Sequence, residues 1–304
     1  MNKSTRNLLI IFVLLAAVVF IFFKGKDRVT TEKIDEKLFN ADSAKIDKIE
    51  IVRTNESITL EKVNGIWQVS KPVVYPADTL AILPLLGDLQ NFKVESIISE
   101  NPEKFSGYLD SANNTVVTVY QEGKNLGSFI LGKSAISFKN SYIKKQDENK
   151  IFLASNLTQS NFIKSLKDFR NKIIIQIPSL AVTSVSFKST DSNKVDFTVR
   201  KDSVGKWFIG TDSVSEGIMT GFLNLIANYN TEDFVDSTIT SFPEPTYTIT
   251  INSGRITVIN LYKMNTTPAS YYIQVSGINQ IFKGSEGFVT TITKKRTDFI
   301  STKP

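Results

Sequence analysis

The sequence predicts an α+β protein: an N-terminal transmembrane helix followed by two tandem similar units, each of antiparallel strands packed on helices. Three observations predict it. Leu8 to Phe23 is a run of sixteen residues without a polar side chain. Beyond it, segments of two-residue hydrophobic period come in series and do not alternate with helices, the pattern of an antiparallel sheet. The order of segments from Lys45 onward then recurs after Pro178.

The apolar run is flanked by Lys3 and Arg6 on one side and by Lys24, Lys26 and Arg28 on the other. At about 1.5 Å per residue it gives roughly 24 Å of helix, against a hydrocarbon layer of about 30 Å, and snorkelling lysines cover the difference. A cleaved secretory signal would also carry a basic start and an apolar core. This run ends in Phe-Ile-Phe-Phe-Lys with no small-x-small site after it, so residues 1–28 read as an uncleaved membrane anchor with its flanks. Basic residues are nearly balanced across it, and Asp27 lowers the count on the C-terminal side. With so long a polar part behind a single anchor, the expectation is a bacterial inner-membrane protein of one pass whose C-terminal part is extracytoplasmic.

Residues 1–28 contain five of the 36 basic and one of the 30 acidic side chains, which leaves 31 against 29 for the rest, a net charge of +2. The sequence pI of 9.2 thus reflects the membrane flanks, and no nucleic-acid partner is expected. The chain has neither cysteine nor histidine. Thiol nucleophiles, disulfides, Cys/His zinc sites, imidazole bases and lipid attachment to an N-terminal cysteine are all excluded.

Residues 29–45 are charged and sparsely apolar, a linker with Leu38 and Phe39 as its first docking points. The first unit, 46–177, opens with alternating runs at Ile49/Ile51 and Ile58/Leu60. Asn64-Gly65 marks a tight hairpin turn before Ile66-Trp67, and Lys71-Pro72 closes the ribbon. Pro76-Ala77-Asp78 starts a helix with Ala81, Ile82, Leu85, Leu86 and Leu89 on one face. Pro84 within it predicts a kink or a later start. A polar connector over 105–114 leads to strands at 115–121, 126–131, 141–145 and 151–154, then to a helix over 156–169.

The second unit, 178–304, repeats this order. Val185/Phe187 answers Ile49/Ile51, Val204-Gly-Lys-Trp207 answers Asn64-Gly-Ile-Trp67, and an amphipathic helix over Ile218 to Tyr229 answers the leucine helix. Ser270 to Ile273 answers Ser141 to Ile143, and Ile281-Phe282 answers Ile151-Phe152. Phe288 to Ile292 with Arg296 aligns with Phe162 to Leu166 and Arg170 at an offset of 126. A period near 130 residues is a domain duplication. The two tryptophans read as core plugs, one per hairpin.

Motifs for chemistry fail on context. Ser141-x-x-Lys144 and Ser203-x-x-Lys206 match a serine-lysine pattern that needs a helix to bring both groups to one face, yet one lies on a predicted strand and the other in a turn. Asp110-Ser-Ala-Asn113-Asn114 gathers oxygen ligands but lacks the glycine and final glutamate of a calcium loop. No phosphate-binding glycine loop occurs. No catalytic, cofactor-binding or metal-binding residue is therefore assigned, and no cofactor is expected.

The succession Leu38-Phe39, Gly65-Ile-Trp67-Gln-Val-Ser-Lys-Pro72, Ala77-Asp78, Phe105-Ser-Gly107-Tyr-Leu109-Asp110, Leu131-Gly132-Lys133, Ile151-Phe-Leu153 and Arg170-Asn-Lys172 resembles the bacterial domain of unknown function 4340 (DUF4340) over residues 38–175. The resemblance implies an extracytoplasmic setting beside ABC-type transporter and gliding-motility auxiliary components, and it brings no catalytic residues. The expectation for function is a membrane-anchored, non-catalytic accessory or scaffold protein, held in the membrane by Leu8 to Phe23 and contacting a protein partner in a membrane transport or motility complex. Strand addition at an exposed edge, for example Thr246 to Ile251, is one route to such contact. The alternative is an exported carboxylate-dependent enzyme acting on envelope glycans.

Overall fold

The computed structural model describes residues 2–24, 34, 36–110, 114–190 and 195–300. The expected flanking residues Lys26, Asp27 and Arg28, the first part of the 29–45 linker and Asn113 lie outside them. The chain is mostly β-sheet with some helices and divides into two compact units, Met1–Arg170 and Asn171–Pro304. The division falls a few residues before the expected one at 177/178.

The first helix, α1 (Lys3–Lys24), is continuous over the apolar run. Its side chains at Leu9 and from Ile11 to Phe20 are exposed, Phe12 and Phe20 at 70% and 67%. Among the described residues no helix is long and apolar enough to cross a membrane, so the transmembrane expectation rests on the sequence of the run alone.

The first unit is built on a nine-stranded antiparallel sheet. Its strands are β1 (Ile46–Arg53), β2 (Glu56–Val63), β3 (Ile66–Lys71), β4 (Tyr75–Pro76), β5 (Lys93–Ser99), β6 (Thr115–Gln121), β7 (Lys124–Ser134), β8 (Ser141–Lys145) and β9 (Ile151–Ser155). They lie in the order β4-β3-β2-β1-β6-β7-β8-β9-β5. The β2–β3 turn uses Asn64 at φ 50° and Gly65 at φ 83°, the left-handed pair that a two-residue hairpin requires. Helix α2 (Thr79–Asn91) covers one face, burying the five apolar residues that the spacing selects against Ile49, Ile51, Ile58, Leu60, Val117 and Phe129. It starts at Thr79 and runs through Pro84, so the proline does not displace its start. Asp78 caps it, accepting from the Leu80 amide at 2.9 Å.

Two features differ from expectation. The helix foreseen over 156–169 is two single turns, α3 (Gln159–Phe162) and α4 (Leu166–Phe169), with Phe162 and Phe169 fully buried. The strand β5 was not foreseen. Its LysValGluSerIleIleSer run carries register breaks on pairing with β9, which blur the two-residue period.

The second unit contains β10 (Ile173–Ile175), β11 (Ser184–Ser189), β12 (Asp196–Lys201), β13 (Trp207–Ile209), β14 (Asp212–Ser213), α5 (Glu216–Ala227), β15 (Tyr229–Asn230), β16 (Asp233–Val235), β17 (Tyr247–Asn252), β18 (Ile256–Lys263), β19 (Ser270–Val275), β20 (Ile281–Ser285) and α6 (Glu286–Thr290). Nine of its strands form a sheet in the order β14-β13-β12-β11-β17-β18-β19-β20-β16, the same succession as in the first unit, while β10 and β15 pair separately. The registers agree: Trp67 stands opposite Lys62 and Trp207 opposite Lys201, and Ile143 faces Phe152 as Ile273 faces Phe282.

The register also corrects one alignment. The residue capping each long helix, Asp78 or Ser215, donates its backbone N–H to Phe169 and Phe299 respectively, at 2.8 and 3.1 Å. Phe169 therefore answers Phe299, and Arg170 answers Ile300, not Arg296. Arg170 is buried, with its guanidinium 5.8 Å from the centre of the Tyr75 ring. Arg296 is exposed and pairs with Asp212. The expected edge run is corrected as well: β17 is central, hydrogen-bonded to β11 and β18 along its whole length, and offers no free edge.

Candidate functional site

Pairing places one end of the first sheet in a single row. The β1–β2 turn, the start of β6, the end of β7, the start of β8, the end of β9 and the start of β5 all lie there. A cavity of about 340 Å³ opens at this end, lined by Arg53, Asn55, Glu56, Asp110, Thr115, Leu131, Gln159 and Ile163.

Each polar wall is held by a local cause. Arg53, at the end of β1, bonds Glu56 at 3.0 Å across the turn. It also donates to the carbonyls of Ile163 and Lys164, at the end of α3 where helical partners run out. The other Glu56 oxygen accepts from the Leu166 amide at 3.2 Å, at the start of α4. Gln159 donates to Gly132 O at 2.8 Å and accepts from Ser134 at 3.1 Å. The first turn of α3 is fastened to α2 by Asp88, whose carboxylate accepts from the Thr158 amide and the Asn161 side chain, both at 2.9 Å. Burial pushes the Asp88 carboxyl above its usual value, and these two hydrogen bonds oppose the push.

The motif residues meet in pairs. Ala77 bridges to Arg170, and Asp78 bonds to Phe169. Gly132 in β7 lies where two backbones converge: a Cβ there would stand 2.5 Å from Tyr108 O and 2.9 Å from Tyr142 O. The Lys133 amide donates to Tyr108 O at 2.7 Å, the Lys133 ammonium to Ser106 O at 2.9 Å, and the Tyr108 and Tyr142 rings meet edge-on at 4.9 Å. The segments 105–110 and 131–133 thus form one brace beside the cavity, and Asp110 and Leu131 line it.

A match with a family model, Domain of unknown function (DUF4340), extends over residues 67–241, more than half of the chain. The chain belongs to the DUF4340 family. The matched stretch runs from β3 of the first unit past β16 of the second, further than the expected 38–175 at its C-terminal end and beginning later. Comparison with curated proteins and with solved structures gives no match.

In this DUF4340 chain the two units share strand order. The second unit has a cavity of about 380 Å³ lined by residues 174–178, Ser253, Arg255, Thr257 and residues 275–278. It lies at the end of β17 and β19, opposite in topology to the cavity of the first unit. The serine-lysine motifs are apart from both. Ser141 is fully buried and donates to Leu157 O at 2.6 Å, while Lys144 sits on the opposite face of β8. Ser203 and Lys206 occupy the β12–β13 turn, where Asp202 accepts from the amides of Val204 and Lys206. Sequence reasoning named no site residue, and the cavity residues come from four separated segments that no local spacing connects. Asp110 and Leu131 carry a signal, as the last and first residues of two family motif segments.

Proposed function

We propose that this chain is a membrane-anchored extracytoplasmic accessory or scaffold protein, non-catalytic, that contacts a membrane transport or motility complex. The observation that carries the reading is an apolar run of sixteen residues ahead of two β-rich units of one topology, in a chain without cysteine or histidine. Its motif residues support it, since Ala77, Asp78, Gly132 and Arg170 are used in backbone bracing, which is the work of a rigid platform. Helix α2 adds a contact surface: Leu80 and Leu83 are 81% and 59% exposed on its outer face. A tether raises the effective concentration at a membrane-bound partner, so a small interface suffices.

In-cell crosslinking followed by mass spectrometry tests the reading. Membrane transport or motility components should be recovered well above a mock pull-down, and a L80S/L83S variant should recover fewer. Recovery no higher than in the mock pull-down would remove the scaffold reading, and equal recovery by wild type and variant would remove α2 as its contact surface. A periplasm-dependent reporter fused after Pro304 should be active; activity of a cytosolic reporter alone would reverse the topology.

The enzyme alternative rests on one observation, that the carboxylates of Glu56 and Asp110 line the same cavity. Glu56, however, already serves Arg53 and the Leu166 amide. If E56Q and D110N each abolish the phenotype rescued by the wild-type gene while leaving expression and stability unchanged, the enzyme reading replaces the scaffold.

A further inference from the structure

We propose that the β7–β8 loop is a second membrane contact, with Ile136 and Phe138 inserted among the headgroups of an anionic bilayer beside the N-terminal anchor. The proposal rests on the anchor reading above and deepens it.

The loop is built and not merely exposed. The Ala135 amide donates to Asn140 O at 2.9 Å, the Asn140 amide to Ser137 O at 2.8 Å, and the Leu157 amide to Lys139 O at 2.9 Å. On this closed frame Ile136 is 99% and Phe138 81% exposed. Two large apolar side chains held outward at a loop tip bury nothing within the unit. Held side by side, they make an apolar tip of the kind that marks an interaction surface.

Charge points to which surface. The loop itself, between Leu131 and Ser141, has two lysines, at 133 and 139, and no acidic residue, while Lys145 at the far end of β8 is paired with Glu148 at 2.8 Å. Lys133 and Lys139 flank the tip and are exposed. An apolar tip flanked by lysine is the pattern of interfacial insertion, in which apolar groups sit below the headgroups and cations meet their phosphates.

Position points the same way. Ser134 pairs with Ser141, Ser141 with Ala154 and Ala154 with Val94, and Glu36 bridges to Val94. The described chain therefore resumes after the anchor within one row of strands of the loop base, three strands away at about 4.8 Å each. The ten steps from Lys24 to Ile34 span at most about 35 Å, so α1 in a bilayer keeps this end of the sheet within reach of the same leaflet surface.

The test uses the full chain, which has no cysteine and so takes a single label cleanly. I136C, F138C and, as control, I66C carry an environment-sensitive fluorophore; Ile66 is 69% exposed but starts β3 at the other end of the sheet. Each protein is reconstituted in phosphatidylglycerol/phosphatidylethanolamine vesicles and in phosphatidylcholine vesicles. Flotation reports the anchor, and quenching by spin-labelled lipids reports the loop. The expected result is flotation of all three, with blue-shifted emission and quenching at 136 and 138. Quenching should be stronger from a shallow than from a deep spin label, as insertion of about 5–10 Å gives, and stronger in the anionic vesicles. Position 66 should stay unquenched. Flotation with unquenched 136 and 138 overturns the loop contact and leaves the anchor standing. Quenching equal at all three sites overturns it as well, and failure to float overturns both.

Discussion

Gly132 is the position where the architecture is least forgiving, and replacing it by alanine gives a sharp test of the brace. The new methyl would sit 2.5 Å from Tyr108 O and 2.9 Å from Tyr142 O, with Leu109 Cδ2 at 3.1 Å. A carbon–oxygen contact needs about 3.3 Å or more, so the Tyr108 carbonyl must retreat by roughly 0.8 Å. Both oxygens belong to backbone, which cannot swing aside as a side chain would. That retreat loosens the 2.7 Å bond from the Lys133 amide, worth about 0.5–1.5 kcal/mol, and overpacking of this kind costs about 1–3 kcal/mol. The G132A variant should lose roughly 2–4 kcal/mol, the sum of those two ranges rounded inward. Gly87 supplies the opposite control: it lies within α2 and a Cβ there meets nothing within 4 Å. G87A should therefore gain about 0.5–1 kcal/mol. Urea titration in detergent, followed by Trp67 fluorescence in a W207F background, reads the first unit. A G132A stability within about 0.5 kcal/mol of wild type (about a quarter of the least cost expected) would refute the argument.

Other outcomes follow from single groups. D78A removes the acceptor for the Leu80 amide at the start of α2 and should cost about 1 kcal/mol by the same titration. Because burial raises the Asp88 carboxyl above its ordinary value, the folded state binds its proton more readily than the unfolded chain. The Asp88 contribution should thus fall as pH rises from about 3.8 through the raised value, and the wild-type-minus-D88N stability difference measured from pH 3.5 to 7 should decline over that interval; a rising difference would contradict the sign. Burial pushes the Tyr229 hydroxyl up to about 12, and its proton bonds Phe288 O at 3.0 Å. Stability should therefore fall as pH climbs from about 10 toward 12, Y229F should show a shallower fall, and ultraviolet titration should find this tyrosine un-ionised at pH 11.

Much of the fold was legible because period-two alternation survives where strands are long and one face is buried. Ile49/Ile51, Ile58/Leu60 and Phe187 announce their sheets by side-chain spacing, and Asn64-Gly65 announces its turn by backbone chemistry. What the spacing hides is where pairing is irregular. The strand β5 breaks register twice against β9, and β16 has three residues, too few for a period to show. The 156–169 segment has helical spacing at Phe162 and Leu166, yet it folds as two turns because Arg53 and Glu56 take up the groups exposed at the break between them. That same interaction builds the cavity wall, and since its partners are 110 residues apart, a motif search along the chain has no means of finding it. The mistaken offset for Arg170 has the same root: composition aligned two arginines, whereas the hydrogen bonds to the helix caps align two phenylalanines.

Two sheets of one strand order on one chain bring a hazard in assembly, since a strand of one unit can compete for its counterpart's place in the other. The outermost strands bear on this. Strands β4 and β14 are two residues long, Pro76 in β4 has no amide to offer, and β16 is three. The seven-residue edge of β5 is already taken by the chain at Ile34 and Glu36. A nascent copy of either sheet therefore presents little free template for its twin, and exchange between neighbouring molecules is blunted by the same shortness. Lengthening β14 by inserting alternating Thr-Val residues after Ser213 should turn this restraint into its opposite, yielding cross-paired dimers on refolding at high concentration.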